Sequence, residues 1–339
     1  MGIIHCVCLS DLHLGQNDGL LTALQPDGNV DMQRPAAALC ALCAALRDLL
    51  CATGDRPVLV LNGDILEIAL ADVNVAAACF QHFFDGMRTD DGRPLFSRIV
   101  FVPGNHDHHF WELARESAYA AYVKTVPRGG VLHPPWHVSN LFVDRRQRRL
   151  VSLLLTDLLH RNPAYAGLDV EVAYPNLGFM TDDGRRAVVF HHGHYLEEIY
   201  RAMTTAADML FPHRTRPVHV WDLEAENFAW IDFFWSTMGR SGRVGPLVQR
   251  VYNCLGDKQA RAERILVAME SLMGRLDLPG PDALYARGAA GMADALVERC
   301  VQNERRDTAN PLSPACFNGL VDYVETFVTR QMNSESACP

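Results

Sequence analysis

The sequence predicts a mixed α/β protein, a layered core of short strands alternating with helices, followed by a long helical segment. Three observations carry this. Short apolar, β-branched runs recur up to about residue 195 and alternate with helix-spaced segments, the pattern of strand–helix–strand units. Four of these runs halt at a Gly or a polar cluster, as buried strands do at their ends. After Leu196 the strand signals stop and helix follows helix. At 339 residues the chain exceeds the usual single-domain size, and one α/β core with a large insertion fits it. The expected division is a core over 1–199 and a helical cap or insertion over 200–339.

Taken in order, the first strand is Ile3–Leu9, running into Ser10-Asp11-Leu12-His13. An Ala/Leu-rich helix, Pro35–Leu50, follows. The second strand, Val58–Leu61, runs into Asn62-Gly63-Asp64-Ile65-Leu66-Glu67. A second helix, Val73–Met87, carries Phe80, Phe83 and Phe84 on one side. The third strand, Ile99–Val102, ends in Pro103-Gly104-Asn105-His106-Asp107. Leu150–His160 fits either a strand or a helix. Glu171–Tyr174 reads as a strand before Pro175. Asp182-Asp183-Gly184 reads as the hairpin turn into Ala187–Phe190, which ends in His191-His192-Gly193-His194. Helix-type spacing then marks Leu196–Leu210, Glu224–Met238, Lys258–Met273, Asp282–Gln302 and Pro314–Met332. In the last, Phe317, Leu320, Val321, Val324, Phe327 and Val328 share one face.

In an open α/β sheet the carboxyl ends of the strands converge on one crevice, so distant residues meet there. Asp11, His13, Asp64, Asn105 and His192 meeting in this way make a mixed oxygen and nitrogen site for hard or borderline divalent metals. Singly, an Asp or Asn at a strand end more often caps the next helix. The five together point to a metal site.

Hydrophobic content of 49% and charge of 21% describe an ordinary globular protein. A net charge of −9 argues against general nucleic-acid binding, which needs a basic footprint. The run Arg145-Arg146-Gln147-Arg148-Arg149 is the local exception. It reads first as a solvated turn and alternatively as a dock for a phosphate group or an anionic lipid surface. No apolar run is long enough to span a bilayer, and a core strand from Gly2 leaves no room for a signal peptide. Ten scattered cysteines, with Cys6, Cys8, Cys40, Cys43 and Cys79 at core-type positions, read as reduced thiols. The expectation is a cytoplasmic protein with at most peripheral membrane contact.

Asp-x-His, Gly-Asp, Gly-Asn-His-Asp and a strand ending in His, in that order, resemble the motif series of the calcineurin-like metallophosphoesterases. Gly63–Glu67 and the His-Gly-x-x-Leu pattern at His192–Leu196 are most similar to the bacterial UDP-2,3-diacylglucosamine hydrolase branch. The resemblance covers roughly residues 1–200. It implies a layered β-sandwich core flanked by helices and two divalent ions, Mn²⁺ foremost, with Fe, Zn, Mg or Ni as alternatives. Two ions about 3.5–4 Å apart lower the pKa of a bound water and clamp a phosphate.

By this resemblance Asp11 and His13 hold the first metal, Asp64 bridges, and Asn105 and His192 hold the second. His106 protonates the leaving alkoxide and Asp107 orients it. Glu67 supports the ligands from behind. His109 is structural or substrate-facing, and His194 is a supporting or substrate residue with metal ligation as a further option. The implied reaction is hydrolysis of a phosphomonoester, phosphodiester or pyrophosphate in a phosphorylated small molecule or a lipid-linked substrate. The helix Asn227–Met238, apolar almost all the way round, reads first as buried; with one side exposed it would offer an apolar wall suited to a greasy substrate. The family closes its site with a late strand and Gly-His-x-His, and no such motif follows His194; the later histidines are His213 and His219. That implies a reduced ligand set and a sheet edge left uncovered. The alternative reading is a catalytically impaired or truncated homologue acting as a binding or scaffold protein.

Overall fold

The computed structural model describes residues 3–142, 150–237, 262–267, 287–288, 290–291, 293–294 and 314–336. The run Arg145–Arg149 and most of the expected helices Lys258–Met273 and Asp282–Gln302 lie outside the described residues.

Four strands form a parallel sheet in the order β1 (Cys6–Leu9), β2 (Val58–Asn62), β3 (Arg98–Val102), β4 (Val170–Val172). Helices α1 (Ala37–Thr53) and α2 (Val73–Gly86) connect the first three, and α3 (His109–Thr125) and α4 (Leu153–His160) lie between β3 and β4. This is the strand–helix alternation that the sequence predicts. Val and Leu fill β2, and Ile, Val and Phe fill β3, because both are central strands. β1 is an edge strand and only partly buried; Cys8 on it is exposed, as is Cys40 on α1, whereas Cys43 and Cys79 are buried. The reading of all five cysteines as core residues thus holds for the last two.

Local chemistry sets the helix ends. α1 stops where Gly54 turns left-handed at φ 69 and its N–H returns to the Leu50 carbonyl at 2.9 Å. The strand-or-helix ambiguity at Leu150–His160 resolves as a helix because the Ser152 hydroxyl caps it, accepting from the Leu155 N–H. α3 had no counterpart among the sequence expectations. Its buried face carries Glu112 and Arg115, ion-paired to each other, beside Phe110, Trp111 and Ala114, so its apolar stripe is interrupted.

The fourth motif strand is not part of the parallel sheet. Ala187–His191 (β6) pairs antiparallel with Asn176–Met180 (β5) across the expected Asp182–Gly184 turn. The single open sheet expected to bring all four junctions together is therefore two sheets. Val60, Val100 and Val102 meet Ala173 and Leu177, with Phe179 and Phe190 packed against them, so the hairpin closes on the parallel sheet through a shared core.

The outer edge of β5 is covered. The Gly178 N–H donates to the Leu141 carbonyl, and the Leu141 and Phe142 N–H groups donate to the Glu335 carboxylate at 2.7 and 3.2 Å. The amide of the fully buried Asn176 donates to Gln331, which itself donates to the Ser139 carbonyl. Gln331 and Glu335 belong to the helix α8 (Thr329–Ser336); α5 to α7 are Ala202–Leu210, Val220–Trp230 and Pro314–Asp322.

The chain forms two compact units that do not follow chain order. Met1–His192, Ile231–Gly245 and Gln331–Pro339 make the first, and Gly193–Trp230 with Pro246–Arg330 the second. Parts of the segment expected as a separate helical cap over 200–339 thus belong with the core. In the second unit Arg214 pairs with Asp208 and Glu226, and the Trp230 indole N–H donates to the Ile199 carbonyl. The expected helix Glu224–Met238 is instead α6 continued by a π-helical turn, Ile231–Thr237, on which Phe233 is 65% exposed. All-round burial of that segment does not hold. Among the described residues no helix is long and apolar enough to cross a membrane.

Candidate metal centre

The exits of β1 and β2 run side by side. Beyond the strands, the N–H groups of Asp11, His13 and Leu14 donate to the carbonyls of Gly63, Asp64 and Ile65 at 2.9–3.0 Å. Asp11, His13 and Asp64 adopt left-handed backbone conformations, at φ 55, 44 and 51, and are the only non-glycine residues with positive φ among those described. Each costs roughly 1–2 kcal/mol for an L-residue, and such strain concentrates at functional sites.

The loop after β3 completes the frame through Asp107. Its fully buried carboxylate accepts from the N–H groups of Asp64, Ile65, Leu66 and Gly104, at 3.2, 2.7, 3.3 and 2.7 Å. Burial, and after it the charge of Asp64, pushes Asp107 up to about 6 against the pull of these donors. Two glycines allow the loops to close. A Cβ on Gly63, at φ 82, would overlap the His192 ring, and one on Gly104 would lie 2.6 Å from the Asp64 nitrogen and 2.9 Å from the His192 ring. Gly104→Ala is expected to cost about 1–3 kcal/mol by overpacking and to displace Asp64 and His192 together. Thermal unfolding and Mn²⁺ titration of the variant check this.

The five expected ligands do converge. Asp64 lies at the centre: its Oδ2 is 3.3 Å from His192 Nε2 and 3.8 Å from His13 Nε2, and its Oδ1 accepts from the His106 N–H at 2.8 Å. Asn105 Oδ1 is 3.2 Å from His192 Nε2. Asp11, Asp64 and His192 bring ligand atoms within 4.8 Å of one another, and so do His13, Glu67 and His106. Asp11 thus lies close to His192 as well as to Asp64.

The tautomers follow from fixed acceptors. His192 Nδ1 faces the Asn62 carbonyl at 3.1 Å, which can only accept, so Nδ1 carries the hydrogen. His13 Nδ1 faces Glu67 Oε2 at 2.9 Å, and His106 Nδ1 faces Glu67 Oε1 at 3.0 Å. In the neutral rings, Nε2 of His13 and of His192 is a lone pair aimed at Asp64. Asn105 Oδ1 and Asp64 Oδ2 both lie close to His192 Nε2, at 3.2 and 3.3 Å, so the cluster is electron-rich and is suited to a cation or to a proton on His192.

The charge balance is consistent with this. Burial opposes ionisation of Asp64, yet His192, His106 and His13 hold it well below the usual carboxylate range. Burial likewise opposes Glu67, which its two imidazoles hold down at about 2. Burial pulls His106 and His192 down, but Glu67 and Asp64 for the first, and Asp64 for the second, raise both to about 9. Histidines raised in the folded state stabilise it fully below their ordinary pKa of about 6.5, and that contribution is lost as pH rises through 9. The metal-free chain is therefore expected to lose stability between pH 6.5 and 9, and saturating Mn²⁺ to suppress the loss, since ligand nitrogens must be deprotonated. Melting temperatures across that range with and without metal test it.

One expected role needs correction, and the places of His109 and His194 become specific. Asp107 does not hold the His106 ring; its oxygens are taken by backbone N–H groups, and Glu67 orients His106 instead. His109 turns to the π-helical turn, its Nδ1 2.9 Å from Asp232 and its N–H donating to the Ser236 hydroxyl. His194 lies in the second unit, its ring packed on Tyr195 and Tyr200, and neither ligand group around Asp64 includes it. Asn62, whose carbonyl sets the His192 tautomer, and Asp232 were not singled out from sequence; their contribution depends on contacts 130 and 123 residues away. No protein-family model matches the chain, and neither a curated protein nor a solved structure matches it.

Proposed function

We propose that this protein is a metal-dependent phosphoesterase. One observation carries the reading: a single carboxylate oxygen of Asp64 sits between Nε2 of His13 and Nε2 of His192, each ring oriented from behind through Nδ1. Asp11, Asp64, Asn105, His192 and His13 would hold two divalent cations, Mn²⁺ foremost. When bound, such ions lower the pKa of a water and neutralise charge on phosphoryl oxygens. Calcineurin-like metallophosphoesterases are the family whose motif series supports this assignment.

The other groups supply orientation and a proton. Glu67 accepts from His106 Nδ1, so the second ring nitrogen bears the proton passed to the departing alkoxide oxygen. The negative charge of Glu67 keeps that imidazole protonated at neutral pH. Asp107 locks the loops after β2 and β3 together through four backbone N–H bonds, which preorganises the residues around Asp64 before any ion or substrate arrives. A phosphorylated small molecule or a lipid-linked phosphate ester is the proposed substrate class.

The test is calorimetric titration of the purified chain with Mn²⁺, paired with hydrolysis of bis(4-nitrophenyl) phosphate and of an alkyl phosphodiester. Saturable Mn²⁺ binding and Mn²⁺-dependent turnover are expected. His106→Gln should keep the metal and lose roughly 10²–10⁴-fold on the alkyl ester, with a smaller loss on the nitrophenyl ester, whose leaving group needs no proton. Failure to bind Mn²⁺ rejects the reading. Binding without turnover favours a scaffold or binding role for the same site.

A further inference from the structure

The segment between α3 and Phe142 has a composition unlike the rest of the chain. The protein carries 40 acidic residues in 339, yet none occurs between Glu116 and Asp144. Lys124 and Arg128 stand in that interval, both exposed and without an ion pair among the described residues. The loop that follows α3 turns at Pro127–Gly130, where the Gly130 N–H donates to the Pro127 carbonyl, and then presents Val131 and Leu132, 84% and 47% exposed.

Behind this tip the aromatic side chains brace one another. The Tyr119 hydroxyl donates to the His133 carbonyl at 2.8 Å, and the Tyr122 hydroxyl accepts from the His133 N–H at 3.2 Å. The Trp136 ring lies 6.0 and 5.9 Å from those of Tyr119 and Tyr122. The Arg115 guanidinium donates to the Trp136 carbonyl. The loop is therefore held in place while its two aliphatic side chains face solvent.

We infer that this loop docks the protein on an anionic lipid surface, with Val131 and Leu132 entering the acyl boundary. Tyr and Trp suit the headgroup level, where one edge of the ring is apolar and the other wet. Lys124 and Arg128 supply attraction to anionic headgroups, and the loop's own sequence adds no carboxylate to repel them. The acids that touch the segment, Glu335 at the Leu141 and Phe142 N–H groups and Glu112 on Arg115, are engaged in hydrogen bonds or an ion pair. A preordered loop gives up little conformational freedom on insertion. The inference goes beyond the phosphoesterase reading and does not depend on it.

The test is co-sedimentation of the full chain with vesicles of phosphatidylcholine containing phosphatidylglycerol, which reads no catalysis. Binding is expected at low salt, weakening as ionic strength shortens the reach of the charges. The double variant Val131→Ser, Leu132→Ser should bind about tenfold less or weaker still, since two aliphatic side chains no longer leave water. Lys124→Gln with Arg128→Gln should lose about fivefold per charge at low salt. Both pairs are exposed, so unchanged thermal unfolding confirms that each variant is folded. No sedimentation of the unaltered chain, or equal sedimentation of the tip variant, overturns the inference. So does a tip variant that changes self-association and leaves vesicle binding alone, which would make the loop a protein contact.

Discussion

Replacing Asp64 by Asn is expected to leave the fold intact, abolish tight Mn²⁺ binding and lower phosphodiester hydrolysis on the order of 10²–10³-fold or more. Asn is the informative substitution because it tolerates the left-handed backbone at φ 51, which Ala does not. It also keeps an oxygen for the His106 N–H, 2.8 Å away in the native protein. What it removes is the negative charge shared between His13 and His192, on which both cation positions depend. The effect should thus appear in both metal affinities at once, and the metal-free protein should lose the part of its stability below pH 9 that depends on Asp64 raising His106 and His192. Calorimetry and steady-state rates measure it, and a variant that retains two Mn²⁺ ions and full turnover would refute the bridging role of Asp64.

The second large effect is expected at Glu67, and it separates two functions of one carboxylate. Oε1 accepts from the Ala69 and Leu70 N–H groups, each at 2.9 Å, and faces His106; Oε2 faces His13 at 2.9 Å. In Glu67→Gln the carbonyl oxygen satisfies the first set, and the amide NH₂ is left facing the His13 N–H, donor against donor. Loss of a support of this kind costs roughly 10–100-fold in metal affinity. The missing negative charge also lets the pKa of His106 fall from about 9 towards its ordinary value. Because His106 must be protonated to act, the alkaline limb of the pH–rate profile should move to lower pH. Metal titration reads the first consequence and the pH profile the second; an unmoved alkaline limb would exclude Glu67 as the group that tunes His106.

The convergence of the five candidate residues was legible because each sits within a few residues of a strand end, where apolar runs give way to Asp, His or Asn. Strand ends fix position to within a few residues, and five of them meeting in space survive errors of that size. Pairing was less legible. The apolar run Ala187–Phe190 and the Asp182–Gly184 turn before it mark a hairpin without saying that it stands apart from the parallel sheet. The role of Asp107 was hidden for a related reason: its donors at Asp64, Ile65 and Leu66 are backbone N–H groups, which leave no mark on the sequence. Glu67 could be placed behind the ligands from its spacing to Asp64, but its double contact with His13 and His106 required the loops to be folded. α3 escaped notice because its inner face holds the Glu112–Arg115 ion pair among apolar side chains. The attachment of Ile231–Thr237 to the first unit rests on Asp232 and Ser236 meeting His109, contacts that helix periodicity does not encode.

The tie from α8 to the β5–β6 hairpin bears on how the protein is made. Asn176 waits for its buried partner Gln331, which is 155 residues further along the chain, and the N–H groups of Leu141 and Phe142 wait longer still for Glu335. At ribosomal speeds of about 5–20 residues per second, 155 residues take roughly 8–30 s to appear. During that interval the Asn176 amide and the Leu141 and Phe142 N–H groups lack these α8 partners, although the Gly178 N–H can already bond the Leu141 carbonyl. The three parallel strands that bear Asp11, Asp64 and Asn105 can already be paired by then. The residues gathered around Asp64, His192 included, have their partners among the first 192 residues, so what arrives late with α8 is the cover on the outer edge of the hairpin rather than the candidate site itself.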